Sequence, residues 1–503
     1  MVHGTKQSTN GTARPCPAKE MKADQRRELA TRVLGGSESA SEAAREHQVS
    51  RKFVAQQTTK AKHALDEAFA PPAKTPDDFL FWMPVTKSSI KQMTLGLALT
   101  CHGSERGIVR FFEDHFDHHV SVGAVHNTLT GAVAEARVQN AAVDLKGVRI
   151  GALDEIFQAR RPVLVGADVA STYCFLLSLE EHRDADTWAI RLLELADRGF
   201  APQATIADFG SGLRAGMAEA LPEVPCRGDV FHALMDLNKT LKFLENRAYN
   251  AIERRTNLQN KQMRQARRSG RQDQSLALQI GKAKREEQEA QTLAGEVKIL
   301  ADWLRRDILA VAGSCYTDRQ TLFDFVVAEL QQRLNQAGDA CKRVGTMLGN
   351  HRDDLLAFAL QLDADLAMLA QQLKVDPALL RELLCHQASN PNRPEYWQRE
   401  AQLHQRAAGR LHELKQVVRE LGRQTVRASS MIENLNSRLR GYFFLRRHLG
   451  PDYLELLQFY LNHRRFPRSD RPERVGKSPR ELLTGQDHPH WLELLGYQRF
   501  ERN

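Results

Sequence analysis

Three acids stand where strand-like sequence gives way to something else: Asp154 in "GVRIGALDEIF", Asp208 in "TIADFGSG" and Glu433 in "SSMIENLNSRLR". Asp154 reads as the end of a first strand, Asp208 as the end of a fourth, and Glu433 as the opening of a helix. Carboxylates at the ends of core strands are costly to desolvate unless a cation meets them. Two held about 4 Å apart repel by about 4 kcal/mol at an effective dielectric near 20. Three together are stable as anions only beside a multivalent cation. Hard oxygen donors in an incomplete cage suit magnesium or manganese. Two such ions can activate a water or a hydroxyl and stabilise the departing oxygen of a phosphodiester.

Each acid also has a plainer reading. Asp208 precedes Gly210 and suits an Asx turn. Glu433 follows Ser430 by three residues, as in a capping box. Asp168 in "GADVAST" reads as a turn residue. The plain readings weaken together, because one mixed-sheet topology requires Asp154, Asp208 and Glu433 where they fall. The glycines of "FGSGLRAG" imitate a dinucleotide-binding turn, but their spacing is one residue too long. No G-x-x-x-x-G-K-[ST] is present to cradle a triphosphate, so nucleotide binding is set aside.

The elements that must position these acids lie between residues 147 and 232. "GVRIGALDEIF", "PVLVGADV" and "TYCFLLSL" read as three strands joined by short links, hence an antiparallel meander. A helix in "DADTWAIRLLELADRG", a strand in "QATIADFG", a helix in "GLRAGMAEAL" and a strand in "PCRGDVFH" follow. The order β-β-β-α-β-α-β predicts a mixed sheet with helices on its faces. From 241 to 424 the pattern is all-helical. Its first part, Arg247 to Arg285, carries eleven basic residues and far fewer acids, fitting either a solvated coiled-coil arm or a phosphate-contacting face. The end of the core is expected over 425–465 and a basic tail over 466–503.

Ahead of the sheet, residues 1–20 read as a disordered tail and 21–60 as a helix-turn-helix. Ser41 and Ser50 are the expected caps, and Arg51, Lys52 and Gln56 lie on the presumed reading face. Four prolines mark 61–88 as a linker, whose "FLFWM" cluster is expected to dock on a neighbouring domain. Residues 89–146 are helical, either a second helix-turn-helix exposing His126 and Asn127 or a plain connector. With 503 residues, 42% apolar and 26% charged, the chain is long enough for several domains. A net charge of +9 makes a polyanion a suitable partner. Seven cysteines without C-x-x-C spacing, no apolar run long enough to span a bilayer and no signal-like start together predict a cytoplasmic protein with no membrane partner.

The pieces "ALDEIF", "TIADFGSGLRAG", "GDVFHAL" and "SSMIENLNSRLR" resemble bacterial insertion-sequence transposases of the DDE class. "GDVFH", with Asp229 and His232, is similar to the C/D-x-x-H signature of the Mutator-like and hAT-like layout, although many relatives carry a Cys or Trp near this histidine. The resemblance covers about 147–485 and implies a ribonuclease-H-like α/β core interrupted by a large all-helical insertion. It implies Asp154, Asp208 and Glu433 as a triad holding Mg²⁺ or Mn²⁺, His232 beside it, and Asn436 and Arg440 on the DNA backbone. It further implies cleavage at transposon ends, strand transfer into target double-stranded DNA, a homo-oligomer on DNA and association with the nucleoid. The alternatives are a catalytically inactive transposase-derived DNA-binding protein and a coiled-coil scaffold; the scaffold leaves the acids unexplained.

Overall fold

The computed structural model describes residues 17–70, 83–269, 273–427, 429–445 and 450–500. The chain divides into two compact units, one within Met1–Met83 and one spanning Pro84–Glu501. In the first, helices Ala23–Leu34, Ala40–Glu46 and Arg51–Phe69 bury Leu29, Ala43, Ala44 and Val54 among themselves. The middle helix is capped by Ser39, not by Ser41. Glu42 lies three residues after Ser39, so the two close a reciprocal capping box that Ser41 cannot form. Ser50 caps the third helix by accepting from Phe53 N at 3.1 Å. Gln48, at φ 52°, turns the chain between the two. Arg51, Lys52 and Gln56 are exposed on that third helix. The helix continues through residues 61–69 of the stretch read as a linker. Of the "FLFWM" cluster only Met83 falls within the described residues.

The second unit is mostly helical around one five-stranded mixed sheet. Helices Lys87–Leu99, Glu105–Phe116 and Val122–Ala141 precede it, capped by Thr86, Ser104 and Ser121. The strands are β1 Ile150–Gln158, β2 Arg161–Asp168, β3 Cys174–Leu179, β4 Ala204–Ala207 and β5 Cys226–Gly228, in the spatial order β3-β2-β1-β4-β5. β1, β2 and β3 form an antiparallel meander, whereas β4 runs parallel to both β1 and β5. Ala159 and Arg160 both take positive φ, as a two-residue hairpin demands of its turn. β3 is an edge strand, and Asn462 covers its start: the Asn462 amide accepts from Cys174 N and donates to Cys174 O, each at 2.8 Å.

Side-chain alternation gives the sheet two buried faces. Ala152 and Ile156 of β1 pack toward helices Ser430–Leu445 and Pro451–His463, through Ile432, Leu435 and Leu457. Leu153 packs on the other face toward helices Ala185–Ala196 and Ser211–Ala220, through Trp188, Leu192, Leu213 and Met217. Between β5 and the Ser430–Leu445 helix the chain makes a long helical excursion. It leaves along helix Val230–Ser269 and returns along Leu411–Gln424. Its two ends touch, since Val230 N donates to Arg427 O at 3.1 Å. The first two helices of the excursion, Val230–Ser269 and Gln274–Trp303, pair across their hairpin through Arg254–Glu286 (2.8 Å), Arg255–Glu287 and Lys298–Glu245 (3.6 Å). Part of the basic run is therefore answered by acids of the returning helix. No helix among the described residues is long and apolar enough to cross a membrane.

The two helices behind the sheet approach closely because Gly212 and Gly216 have no side chain. A Cβ at Gly216 would sit 2.6 Å from Trp188 Cβ and 2.7 Å from Ala185 O. Gly216→Ala is expected to destabilise the protein by about 1–3 kcal/mol in urea unfolding, since backbone must yield to it. Gly281→Ala, where a Cβ meets nothing within 4 Å on the Gln274–Trp303 helix, is expected to stabilise by about 0.5–1 kcal/mol.

Candidate active site

Register decides which acids meet. On its β4 side, β1 pairs only as far as Leu153 opposite Ala207. Asp154 and Asp208 are the next residues on these two parallel neighbours, so they stand side by side where that pairing ends. On its β2 side β1 continues, with Asp154 opposite Val165. Asp154 thus lies in the middle of β1 rather than at its end, at the point where the neighbouring strand stops. Alternation turns it to the face covered by the Ser430–Leu445 helix, where it is 5% exposed. Its Oδ1 accepts from Glu155 N at 2.8 Å and its Oδ2 from Asn436 Nδ2 at 2.6 Å. Burial, seconded by the charges of Asp208 and Glu433, lifts the Asp154 carboxyl to about 7 against the opposing pull of the Glu155 amide and His232.

Glu433 comes in from the Ser430–Leu445 helix, and His232 from the first turn of the helix that begins at Val230. Their donor atoms and one Asp154 oxygen all lie within 4.8 Å of one another. His232 Nε2 is 3.1 Å from Glu433 Oε1, and His232 Nδ1 is 2.7 Å from Asp229 Oδ2. Asp229 is fully buried at the end of β5. It also accepts from Phe231 N at 2.7 Å and from the Ser429 hydroxyl. Burial works against its charge, but the bonds from His232 and Ser429 outweigh burial and hold its carboxyl below the usual range. Burial likewise works against the imidazolium, and Asp229, followed by Asp154 and Glu433, overcomes it and raises His232 to about 9. Near neutral pH His232 is a cation held between an acid that orients it and the acids of the cluster.

Asp208 takes the Asx-turn geometry: its Oδ1 accepts from Gly210 N at 2.9 Å. Arg214 holds this turn, donating through Nε to Asp208 O at 3.1 Å and pairing with Asp354 of the helical excursion at 2.7 Å. The Asp208 carboxylate is outside the tight group formed by Asp154, His232 and Glu433. Asp168 is apart from them: it ends β2 opposite Gly151, and its Oδ2 accepts from Ser171 N and Oγ in a turn.

Asn436 does not have the surface position expected of a DNA contact. It is fully buried, and its amide is spent on Asp154. Sharing a helical face with Glu433 placed it near the acids, but that face is the covered one. Arg440 is exposed, with Nη1 3.8 Å from Glu433 Oε2. Ser429 and Asn436 are the site residues that sequence reasoning did not find in these roles. Asp229 was legible through its spacing of three from His232.

The donor set fits a hard divalent cation. It offers carboxylates from Asp154 and Glu433 with Asp208 beside them, and the buried Asn436 Oδ1 has no hydrogen-bond partner, an orphan of the kind a cation or its water satisfies. No family model matches this chain, and no curated protein matches it. Among solved structures it is similar to the Drosophila P element transposase strand transfer complex, at 11% identity and a TM-score of 0.29, over 80% of this chain and 98% of that one.

The His232 shift predicts a pH dependence of folding. Its folded value, about 9, lies above the ordinary 6.5. The stability it contributes is therefore complete below pH ~6.5 and lost as pH rises through ~9, on the order of 2 kcal/mol in all. Thermal melts in EDTA are expected to fall from pH 6 to 9.5 for the native protein, and above pH ~8 to fall much less for His232→Gln, the part at lower pH belonging to Asp154 with its value near 7.

Proposed function

We propose that this chain is a DDE transposase with a ribonuclease-H-like core, cutting DNA strands at transposon ends and joining them to target DNA. The observation that carries the reading is the convergence of Asp154, His232 and Glu433, from residues far apart in sequence, beside an Asp208 that follows the neighbouring parallel strand. The sheet order and mixed directions are compatible with that core, and the excursion from Val230 to Gln424 stands where the layout expects its insertion.

In this reading Asp154, Asp208 and Glu433 hold Mg²⁺ or Mn²⁺, which when bound polarises a phosphodiester and lowers the pKa of an attacking water or 3′-hydroxyl. The protein's own groups do the rest. Asn436 fixes the orientation of Asp154, and Asp229 and Ser429 fix the ring of His232. His232, its ring oriented by Asp229 with Nε2 turned to the cluster, can give a proton from Nε2 to a departing oxygen. Arg440, beside Glu433 and exposed, is placed to meet a DNA phosphate. The exposed Arg51, Lys52 and Gln56 supply end recognition.

Asp154→Asn, Asp208→Asn and Glu433→Gln are each expected to reduce Mg²⁺-dependent cleavage of DNA carrying the sequences that flank the coding region by on the order of 10²-fold or more. Binding to the same DNA by gel shift should change little. Full cleavage by any one variant removes that residue from the triad, and binding without cleavage by the native protein points to the inactive DNA-binding alternative. Removing residues 1–70 is expected to weaken binding to the specific end roughly ten-fold more than binding to random DNA. Equal losses on the two would show that this unit is not the reader.

A further inference from the structure

Beside the acid cluster the structure holds an open cleft of about 1290 Å³. Its walls come from the start of the Val230–Ser269 helix, the segment 423–438 and the loop 466–474. None of Asp154, Asp208, His232 or Glu433 lines it, but their neighbours do: Phe231 adjoins His232, and Ser430, Asn434 and Arg438, four residues apart, form one face of the glutamate's helix. Nine Lys and Arg residues line the cleft against a single acid, Asp470. Two of the nine are in ion pairs, Lys239 with Asp236 and Arg305 with Asp302. Arg427 and Arg474 donate to the backbone carbonyls of Leu309 and Ala170. Lys242, Arg423, Arg438, Arg468 and Arg471 have no carboxylate partner among the described residues. Gathering five unanswered cations costs free energy that a polyanion would recover.

Two aromatic rings stand among these charges. Phe231 is 39% exposed, edge-on to His232 with ring centroids 5.8 Å apart, and Phe466 is partly exposed. A cationic channel with aromatic rings along it is the design of sites that hold unpaired nucleic acid, phosphates on the cations and bases against the rings. A duplex keeps its base faces stacked and offers none to Phe231. The cleft is larger than the roughly 300–1,000 Å³ of a small-molecule pocket, enough for a few nucleotides.

We propose that this cleft binds a short length of single-stranded nucleic acid leading to the acid cluster, gripped through its phosphates by Lys242, Arg423, Arg438, Arg468 and Arg471 and through one base by Phe231. The strand's identity as substrate rests on the nuclease reading above, but its binding does not require cleavage. The test is fluorescence anisotropy of the full chain in EDTA with a labelled twelve-nucleotide oligo-dT, with oligo-U, a duplex of equal length and inorganic polyphosphate as further arms. Arg468→Glu with Arg471→Glu, two exposed positions, is expected to weaken oligo-dT binding roughly ten-fold or more and to reduce the slope of log affinity against log salt by about 1.4, at about 0.7 per lost phosphate contact. Phe231→Ala is expected to weaken it roughly five-fold or more with the salt slope unchanged, and to leave polyphosphate binding unaltered. Unchanged affinity in the double variant, or equal effects of Phe231→Ala on polyphosphate and oligo-dT, overturns the proposal. A preference for duplex that survives Phe231→Ala overturns it too. The native protein separates the two readings: oligo-dT binding without any Mg²⁺-dependent cleavage sinks the nuclease reading alone. Melting curves of each variant establish that it is folded.

Discussion

Buried negative charge must be answered by positive charge, and the centre of this molecule is built around that requirement. Asp154 sits where water hardly reaches, next to Asp208 and Glu433, and its raised proton affinity records how poorly ionisation is tolerated there. The protein's own answer is His232, protonated at neutral pH because Asp229 stands behind it. An imidazolium is a single diffuse charge with one hydrogen bond to give on this side, so it offsets the acids only in part. A divalent ion has twice the charge and accepts several oxygens at once. The site is organised as anions that the chain alone leaves under-neutralised.

Two geometric facts deliver that charge. The short β4 stops beside Leu153 while the longer β1 runs on, which exposes one edge of β1 from Asp154 onward without breaking the strand. The Ser430–Leu445 helix then lies over that face, packing Ile432 and Leu435 into the core while Glu433 and Asn436 reach the acid. Arg214 ties the Asp208 turn to Asp354 in the helical excursion, so the excursion reaches the loop that carries the second acid.

Much of this is legible in the sequence. Short β-branched and aromatic runs with Pro, Gly and Ser punctuation mark all five strands, although the last, "PCRGDVFH", is strand only over Cys226–Gly228 before the helix takes over at Val230. Short links required the meander. The acids stood out because a carboxylate beside a β-branched run is costly. What escaped was whatever depends on pairing rather than on pattern. Asp154 was read as a strand end because an acid is a poor strand interior, whereas the register puts it mid-strand at a neighbour's terminus. Asn436 was read as a surface contact because it lies three residues from Glu433, and spacing alone cannot tell a covered face from an open one. Ser41 suits a cap by residue type, but Ser39 and Glu42 form the S-x-x-E pair that closes the helix start. Nothing local marks Ser429 as a partner of Asp229, since the two meet across the whole excursion.

The hydrogen bond from Val230 to Arg427, with Ser429 on Asp229 beside it, fastens the departure and return of that excursion at one spot. To the sheet, some two hundred residues therefore count as a tight turn. Chain closure costs rise only logarithmically with length, so helices of the excursion that touch neither this clasp nor the Asp208 turn can gain or lose material while the acids keep their places. The clasp, not the length of what lies beyond it, sets where Glu433 returns to the sheet.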